Sequence, residues 1–252
     1  MENFNWQAYI ANYKDLRDLN TKTKAYNHYL KYGKAENRSD SFTYRSHPYY
    51  THQPFLKEIL KRTTGNVLEC GCGYGSTPFI KEILAGTGRK HITLESDVEW
   101  LQKFVDLTDT LHHIDATIED TDANAVKWVE FIENNLKDIT FDVVFIDSNP
   151  WLSRKHIFDY FKNKVTFIVI HDFDYFPNNN IIGKTVSKQT FQKGNMVCEK
   201  IEIVAEGTYK LCYPPFQFFV GETGPPTFIY TNTASQKDLD DLEKKVLENY
   251  YN

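Results

Sequence analysis

Cysteine is scarce in this chain, and its four copies are poorly placed for two common tasks. Cys70 and Cys72 lie together, whereas Cys198 and Cys212 stand far along the chain. A structural zinc site wants four clustered ligands, so this spacing does not read as one. Free thiols of a reducing compartment are the simpler reading. A basic excess is also missing: 29 Lys and Arg face 34 Asp and Glu, for a net charge of −5. Nucleic acid is therefore not an expected partner, and no block of like charge suggests an interaction tail. No apolar run approaches the ~20 residues of a membrane span, so no membrane association is expected. The opening MENFNWQAYIANYKDL is polar and acidic, unlike a signal peptide. The expected location is the cytoplasm, that of the host if the source is a virus.

What is present suits a soluble globular protein. Hydrophobic residues make up 41% and charged residues 25% of the chain. A length of 252 residues holds one full α/β domain plus an appendage. Aromatic residues reach 15%, which serves core packing and the stacking of polar substrates equally well.

From residue 66 the chain alternates strand and helix. Strands are expected over 66–70, 91–95, 112–116, 141–147 and 165–171. Helices are expected over 76–85, 97–105, 123–136 and 153–161. The strands are near-continuous apolar runs, as in a sheet covered on both faces. The pattern predicts an α/β fold with a doubly wound, mostly parallel sheet of seven strands. After a loop over 174–183, strands at 197–205, 216–221 and 226–231 follow without intervening helices, and a helix spans 235–250. Upstream, His52 to Arg62 is amphipathic, with Phe55, Ile59 and Leu60 on one face. Two short helices, Trp6–Leu16 and Thr23–Tyr32, form a small N-terminal module closed by Gly33. The expected division is a module over 1–40 and the main domain over 41–252.

The chemistry concentrates in NVLECGCGYGST, Asn66 to Thr77. A strand runs into Glu69, then glycines occupy positions 71, 73 and 75, and Ser76 and Thr77 open a helix. Glycines allow tight turns and close approach of a ligand, and the helix start presents N–H groups to it. The dinucleotide fingerprint G-x-G-x-x-G fails, because Ser76 stands where its third glycine belongs. The pattern E-x-G-x-G-x-G resembles the first motif of class I S-adenosylmethionine-dependent methyltransferases. That resemblance places Glu69 near the methionine part of the cofactor. A carboxylate there suits an ammonium and a sulfonium and repels a pyrophosphate. Glu95 ends the next strand, where an acid binds ribose hydroxyls in such folds.

Further pieces occur in the order of the same family. They are YTH (Tyr50 to His52), LESDVEWL (Leu94 to Leu101), DSNPWLSR (Asp147 to Arg154) and VIHD (Val169 to Asp172). Together they resemble methyltransferase-like proteins associated with polysaccharide synthesis, over residues 50–232. The N-terminal YIANYKDL and AYNHYLKYGKAENR resemble a helical module found beside glycan-synthesis domains in bacteria and large DNA viruses. The resemblance implies cofactor contacts at Glu69, Gly71, Cys72, Gly73, Gly75, Ser76, Thr77, Glu95, Ser96, Asp115 and His52.

Asp147, His171 and Asp172 fall at strand ends, where ligands bind in open α/β sheets. His171 suits general-base chemistry at neutral pH, oriented by Asp172 or Asp147. The three also form a candidate divalent-metal site, as in metal-dependent O-methyltransferases. His171 departs from that family's carboxylate or amide, and mixed His/Asp ligation suits Mn, Fe or Zn better than Mg. A purely structural role for His171 is the third reading. Arg154 is read as a surface partner of Asp159 rather than a contact of an anionic substrate.

The resulting expectation is an S-adenosyl-L-methionine-dependent O-methyltransferase acting on a sugar or glycan intermediate, assisted by a base or a metal. Its rivals are an NAD-dependent oxidoreductase or epimerase, and a non-catalytic scaffold of the same fold. The oligomeric state is open, with a homodimer compatible.

Overall fold

The computed structural model describes residues 4–16, 18–41, 50–173, 184–193, 196–204, 207–212, 217–219, 222–223 and 226–250. At its centre lies β1 (Asn66–Cys70), apolar on both faces except at Glu69. It pairs in parallel with β2 (His91–Glu95) on one side and β4 (Phe141–Ile146) on the other. β3 (Thr110–His113) continues beyond β2, and β5 (Phe167–Ile170) beyond β4. The sheet closes with β11 (Thr227–Thr231), antiparallel to β5 and to the edge strand β8 (Thr208–Cys212). The order β3-β2-β1-β4-β5-β11-β8 makes seven strands, mostly parallel. This is a doubly wound, Rossmann-like sheet, as the alternation of strand and helix predicted. Strand order reverses between β1 and β4, so the binding crevice belongs beyond their carboxyl ends.

Alternation along each strand builds two cores. Leu68, Cys70, Val144, Ile146, Ile168 and Ile170 face α6 (Asp122–Asn135) and α7 (Trp151–Phe161). Val67, Val143, Phe145 and Val169 face α3 (Gln53–Arg62), α4 (Thr77–Leu84) and α8 (Gln236–Tyr250). Each fully buried aliphatic or Phe side chain contributes about 1.5–3 kcal/mol. Local signals start the helices: the Thr121 hydroxyl caps α6 through the Asn124 N–H, and the Asp97 carboxylate caps α5 (Val98–Leu101) through the Trp100 N–H.

The N-terminal module, with α1 (Trp6–Asn12) and α2 (Lys22–His28), packs a core of its own around Phe4, Tyr9, Ile10, Leu16 and Ala25. Tyr9 and His28 Nδ1 meet at 2.9 Å inside it. Residues 42–49, on the main-domain side of the expected boundary, lie outside the described residues.

The carboxyl-terminal strands differ from expectation. The segment read as 197–205 is β7 (Met196–Val204), which among the described residues pairs with β6 (Lys184–Lys193) outside the main sheet. The segment 216–221 yields β9 (Gln217–Phe219), paired with β10 (Glu222–Thr223). The true edge strand, β8, was not foreseen. Its TYKLC sequence mixes core contacts from Tyr209, Leu211 and Cys212 with Lys210, which pairs with Asp240 and Glu243 of α8. β3 begins two residues earlier than expected, since its register is set by pairing with β2 rather than by its own sequence. The loop expected over 174–183 lies outside the described residues.

Candidate functional site

The glycine loop is held from below. Gly71 has φ +92°, and a Cβ there would strike the Asp147 carbonyl. Gly75 has a different constraint: a Cβ would stand 2.6 Å from the Tyr50 ring. Glu69 lies beneath the loop, fully buried. Its carboxylate accepts from the Thr77 hydroxyl at 3.0 Å, and from His91 Nε2 at 2.9 Å and the Thr93 hydroxyl at 3.0 Å. Thr77 in turn accepts the Gly73 N–H at 3.0 Å. Strand alternation explains this, since Glu69 shares the α4-facing side with Val67 and Thr93. Glu69 is thus a lock for the loop and does not line the cavity.

Glu95 is similarly engaged. Oε1 accepts the N–H groups of Ser96 at 2.7 Å and Asp97 at 2.9 Å. Oε2 accepts the Cys72 N–H at 3.0 Å and the Cys72 thiol at 3.5 Å. Only the position held by the weak thiol donor is open to a ligand hydroxyl. Burial first, and then the Glu95 and Glu69 charges, push the Cys72 thiol far up, so it stays protonated.

A cavity of about 330 Å³ opens above the loop, within the range of small-molecule sites. Its near wall is Cys72, Gly73, Tyr74, Gly75 and Ser76, with Trp100 beside them. Trp100 donates its indole N–H to the Cys72 carbonyl at 2.7 Å and meets the Tyr74 ring edge-on at 5.5 Å. Tyr74 is more than half exposed.

The far wall is Asp147, His171 and Asp172, with His52 and Tyr50 completing it. His171 Nδ1 stands 3.3 Å from Asp147 and 3.5 Å from Asp172. His171 Nε2 stands 3.3 Å from the Thr51 hydroxyl. Both ring nitrogens therefore face protein groups. Burial disfavours the imidazolium, but Asp147 and then Asp172 outweigh it and raise the His171 pKa. Burial pushes Asp147 up, yet the His171 and Arg154 charges bring it down to about 2. Burial raises Asp172, and the His171 charge does not offset that. His52 is buried against His171, ring centroids 4.5 Å apart, and neither of its nitrogens is aligned on a hydrogen-bond partner. Burial and the His171 charge keep it neutral.

Arg154 corrects the surface reading. It is 2% exposed and donates to Asp147 Oδ1 at 2.9 Å, while Asp159 pairs with Lys155 and Lys162. The three candidate metal ligands offer atoms within 4.8 Å of one another, close enough for one cation. Arg154 already bonds Asp147 at 2.9 Å, so a dication there would have to compete with the guanidinium.

The structure thus gathers His52, Cys72, Gly73, Gly75, Ser76, Asp147, His171 and Asp172 around one cavity. Gly71, Thr77 and Ser96 support it from behind. Asp115 is exposed and lies outside the lining. Tyr50, Tyr74, Trp100 and Arg154 were without an assigned site role. Tyr50, Trp100 and Arg154 lie in the YTH, LESDVEWL and DSNPWLSR segments, which was the available signal.

No family model matches this chain, and no curated protein matches it. Solved structures do align. The O-methyltransferase from Bacillus cereus in complex with SAH is 16% identical with a TM-score of 0.44, over 90% of this chain and 99% of that one. An S-adenosylmethionine-dependent methyltransferase from Clostridium acetobutylicum ATCC 824 is 12% identical with a TM-score of 0.32, over 89% and 86%. The CcbJ methyltransferase from Streptomyces caelestis is 12% identical with a TM-score of 0.27, over 78% and 83%. Similarity this low says nothing of substrate.

Proposed function

We propose that this protein is an S-adenosyl-L-methionine-dependent methyltransferase acting on a hydroxyl of a small sugar or glycan intermediate. The observation that carries the reading is the cavity at the switch point, with a glycine loop on one wall and an acid–histidine cluster on the other. S-adenosylmethionine, when bound, supplies an activated methyl group. The residues present fit it. The Tyr74 and Gly75 N–H groups find no acceptor among the described residues, and they suit a carboxylate. Tyr74 and Trp100 offer an aromatic surface for a base. Asp172, which does not bond Arg154, presents a carboxylate to the cavity. A ligand hydroxyl reaching Glu95 would have to displace the weak Cys72 thiol donor. The buried charge of Glu69 still disfavours a pyrophosphate above the loop, though from a distance.

Placement of the acceptor oxygen is the main catalytic demand. Asp172 is the proton acceptor in this reading, because its carboxylate borders the cavity and its pKa is raised. His171 holds the charge balance between the two acids. The sugar assignment rests on the family resemblance and on the aromatic and acidic lining. A divalent ion on Asp147, His171 and Asp172 is the second reading, favoured by their closeness alone.

Calorimetry with S-adenosylhomocysteine tests the cofactor: binding supports it, and no heat at millimolar ligand refutes it. A nicotinamide fluorescence titration decides the oxidoreductase rival. A panel of nucleotide-sugars incubated with the methyl donor, read for a mass gain of one CH₂, identifies the acceptor. Chelator dialysis followed by Mn(II) addition separates the metal reading: unchanged transfer removes it.

A further inference from the structure

Asp172 is one of two non-glycine residues with positive φ among the described residues, at +50°. That conformation is uncommon for a non-glycine residue, although Asp tolerates it better than most, so the contacts on either side of it are informative. Downstream the chain is pinned. The Phe173 ring stacks on Phe228 at 4.2 Å and its N–H donates to the Pro226 carbonyl at 3.2 Å. Upstream, the restraint is Arg154. Its Nη1 donates to the His171 carbonyl at 2.7 Å, and that oxygen belongs to the peptide plane entering Asp172. A peptide unit is rigid, so fixing the direction of its carbonyl fixes the plane from which φ of Asp172 is measured.

The same guanidinium spans the neighbouring strand end. Nε donates to the Ser148 carbonyl at 3.0 Å and Nη2 to Asp147 at 2.9 Å. The Trp151 ring lies 3.7 Å from Cζ and closes one face. Three acceptors in three directions, with an aromatic plane beneath, match a planar fork and not a point charge.

We infer that Arg154 is a positioning residue: it ties the ends of β4 and β5 together and holds the His171 carbonyl so that Asp172 aims its carboxylate into the cavity. This deepens the proposed function, because it rests on Asp172 facing the acceptor there. A plain buried ion pair would need only the Asp147 contact. The two backbone carbonyls are what the ion-pair account leaves over.

The test is NMR on the full chain. Backbone ¹³Cα and ¹³Cβ shifts of Asp172 report the left-handed conformation. Arg154→Met is expected to abolish that signature while signals from His91 to Glu95 stay in place. Arg154→Lys keeps a charge near Asp147 but cannot hold both carbonyls, so it is expected to lose the signature too. It also decides the matter if the methionine variant fails to fold. Persistence of the left-handed signature in a folded variant overturns the inference. So does a change that spreads equally to β2, which marks general loosening. S-adenosylhomocysteine binding by the parent chain is measured alongside. Its failure removes the cofactor reading and leaves the Asp172 readout intact.

Discussion

Glu69 with His91, and Asp147 with His171, each set a carboxylate against an imidazole in the same part of one sheet. The first pair sits at 2.9 Å with both partners at or below 1% exposure. Thr77 and Thr93 take up the remaining capacity of its carboxylate. The second pair sits at 3.3 Å, with the Asp147 side chain 31% exposed to the cavity. One cluster is sealed from the cavity, with both oxygens of its carboxylate bonded; the other has a free edge, a left-handed neighbour and a buried arginine balancing its charge. Residue type does not separate a lock from a reactive site here. Access to the cavity does.

The contrast can be broken most sharply at the lock. Glu69→Ala should cost about 3–5 kcal/mol in urea denaturation, since it strips a buried network of its acceptor. A loss below ~1 kcal/mol would mean that Glu69 is no lock. The loop between the clusters comes next. Gly75→Ala should cost about 1–3 kcal/mol, because its Cβ meets the Tyr50 ring at 2.6 Å. Gly73→Ala, with its nearest neighbour at 3.6 Å, should cost less, and thermal melts compare the two.

Changing pH should affect the open cluster in two directions. Asp147 is held down at about 2, so its stabilisation is full above its unfolded value and fades as pH falls toward 2. His171 is raised, so its stabilisation is full below its unfolded value and fades as pH rises through the folded one. Taken alone, the two would give a plateau from about pH 4 to about pH 6.5. Asp172, raised by burial, loses stabilisation as pH rises above its unfolded value, and His52, lowered by burial, gains it as pH rises toward its unfolded one. The window is therefore sloped. Urea midpoints inside and on either side of it provide the check, and a flat profile would contradict the charge balance. Asp172→Asn keeps a side chain that tolerates positive φ, so stability should change by less than ~1 kcal/mol while methyl transfer is lost. Transfer at the parent rate would move the proton acceptor elsewhere. Asp115→Ala should change stability by no more than about 0.5 kcal/mol and leave S-adenosylhomocysteine affinity alone.

Much of the parallel sheet was legible, because β1, β2, β4 and β5 are apolar runs whose ends carry polar punctuation. The short β8 was not, since its pairing with β11 and its ion pairs to α8 come from elsewhere in the chain. Among site residues, Asp147, His171 and Asp172 could be found from their place after apolar strands. Trp100 and Tyr50 sat inside noted segments without a role, because their contacts with Cys72 and Gly75 link segments far apart in sequence. Arg154 was read as a surface residue, and nothing local signals that a helix arginine reaches back to two strand ends.

The order of residues along the chain was enough to set the alternation of strand and helix, the glycine turn and the acids that end the strands, because these depend on periodicity and on local backbone freedom. Which acid is buried and bonded, and which borders the cavity, was decided by folding, because burial and partner count come from neighbours that no local pattern names.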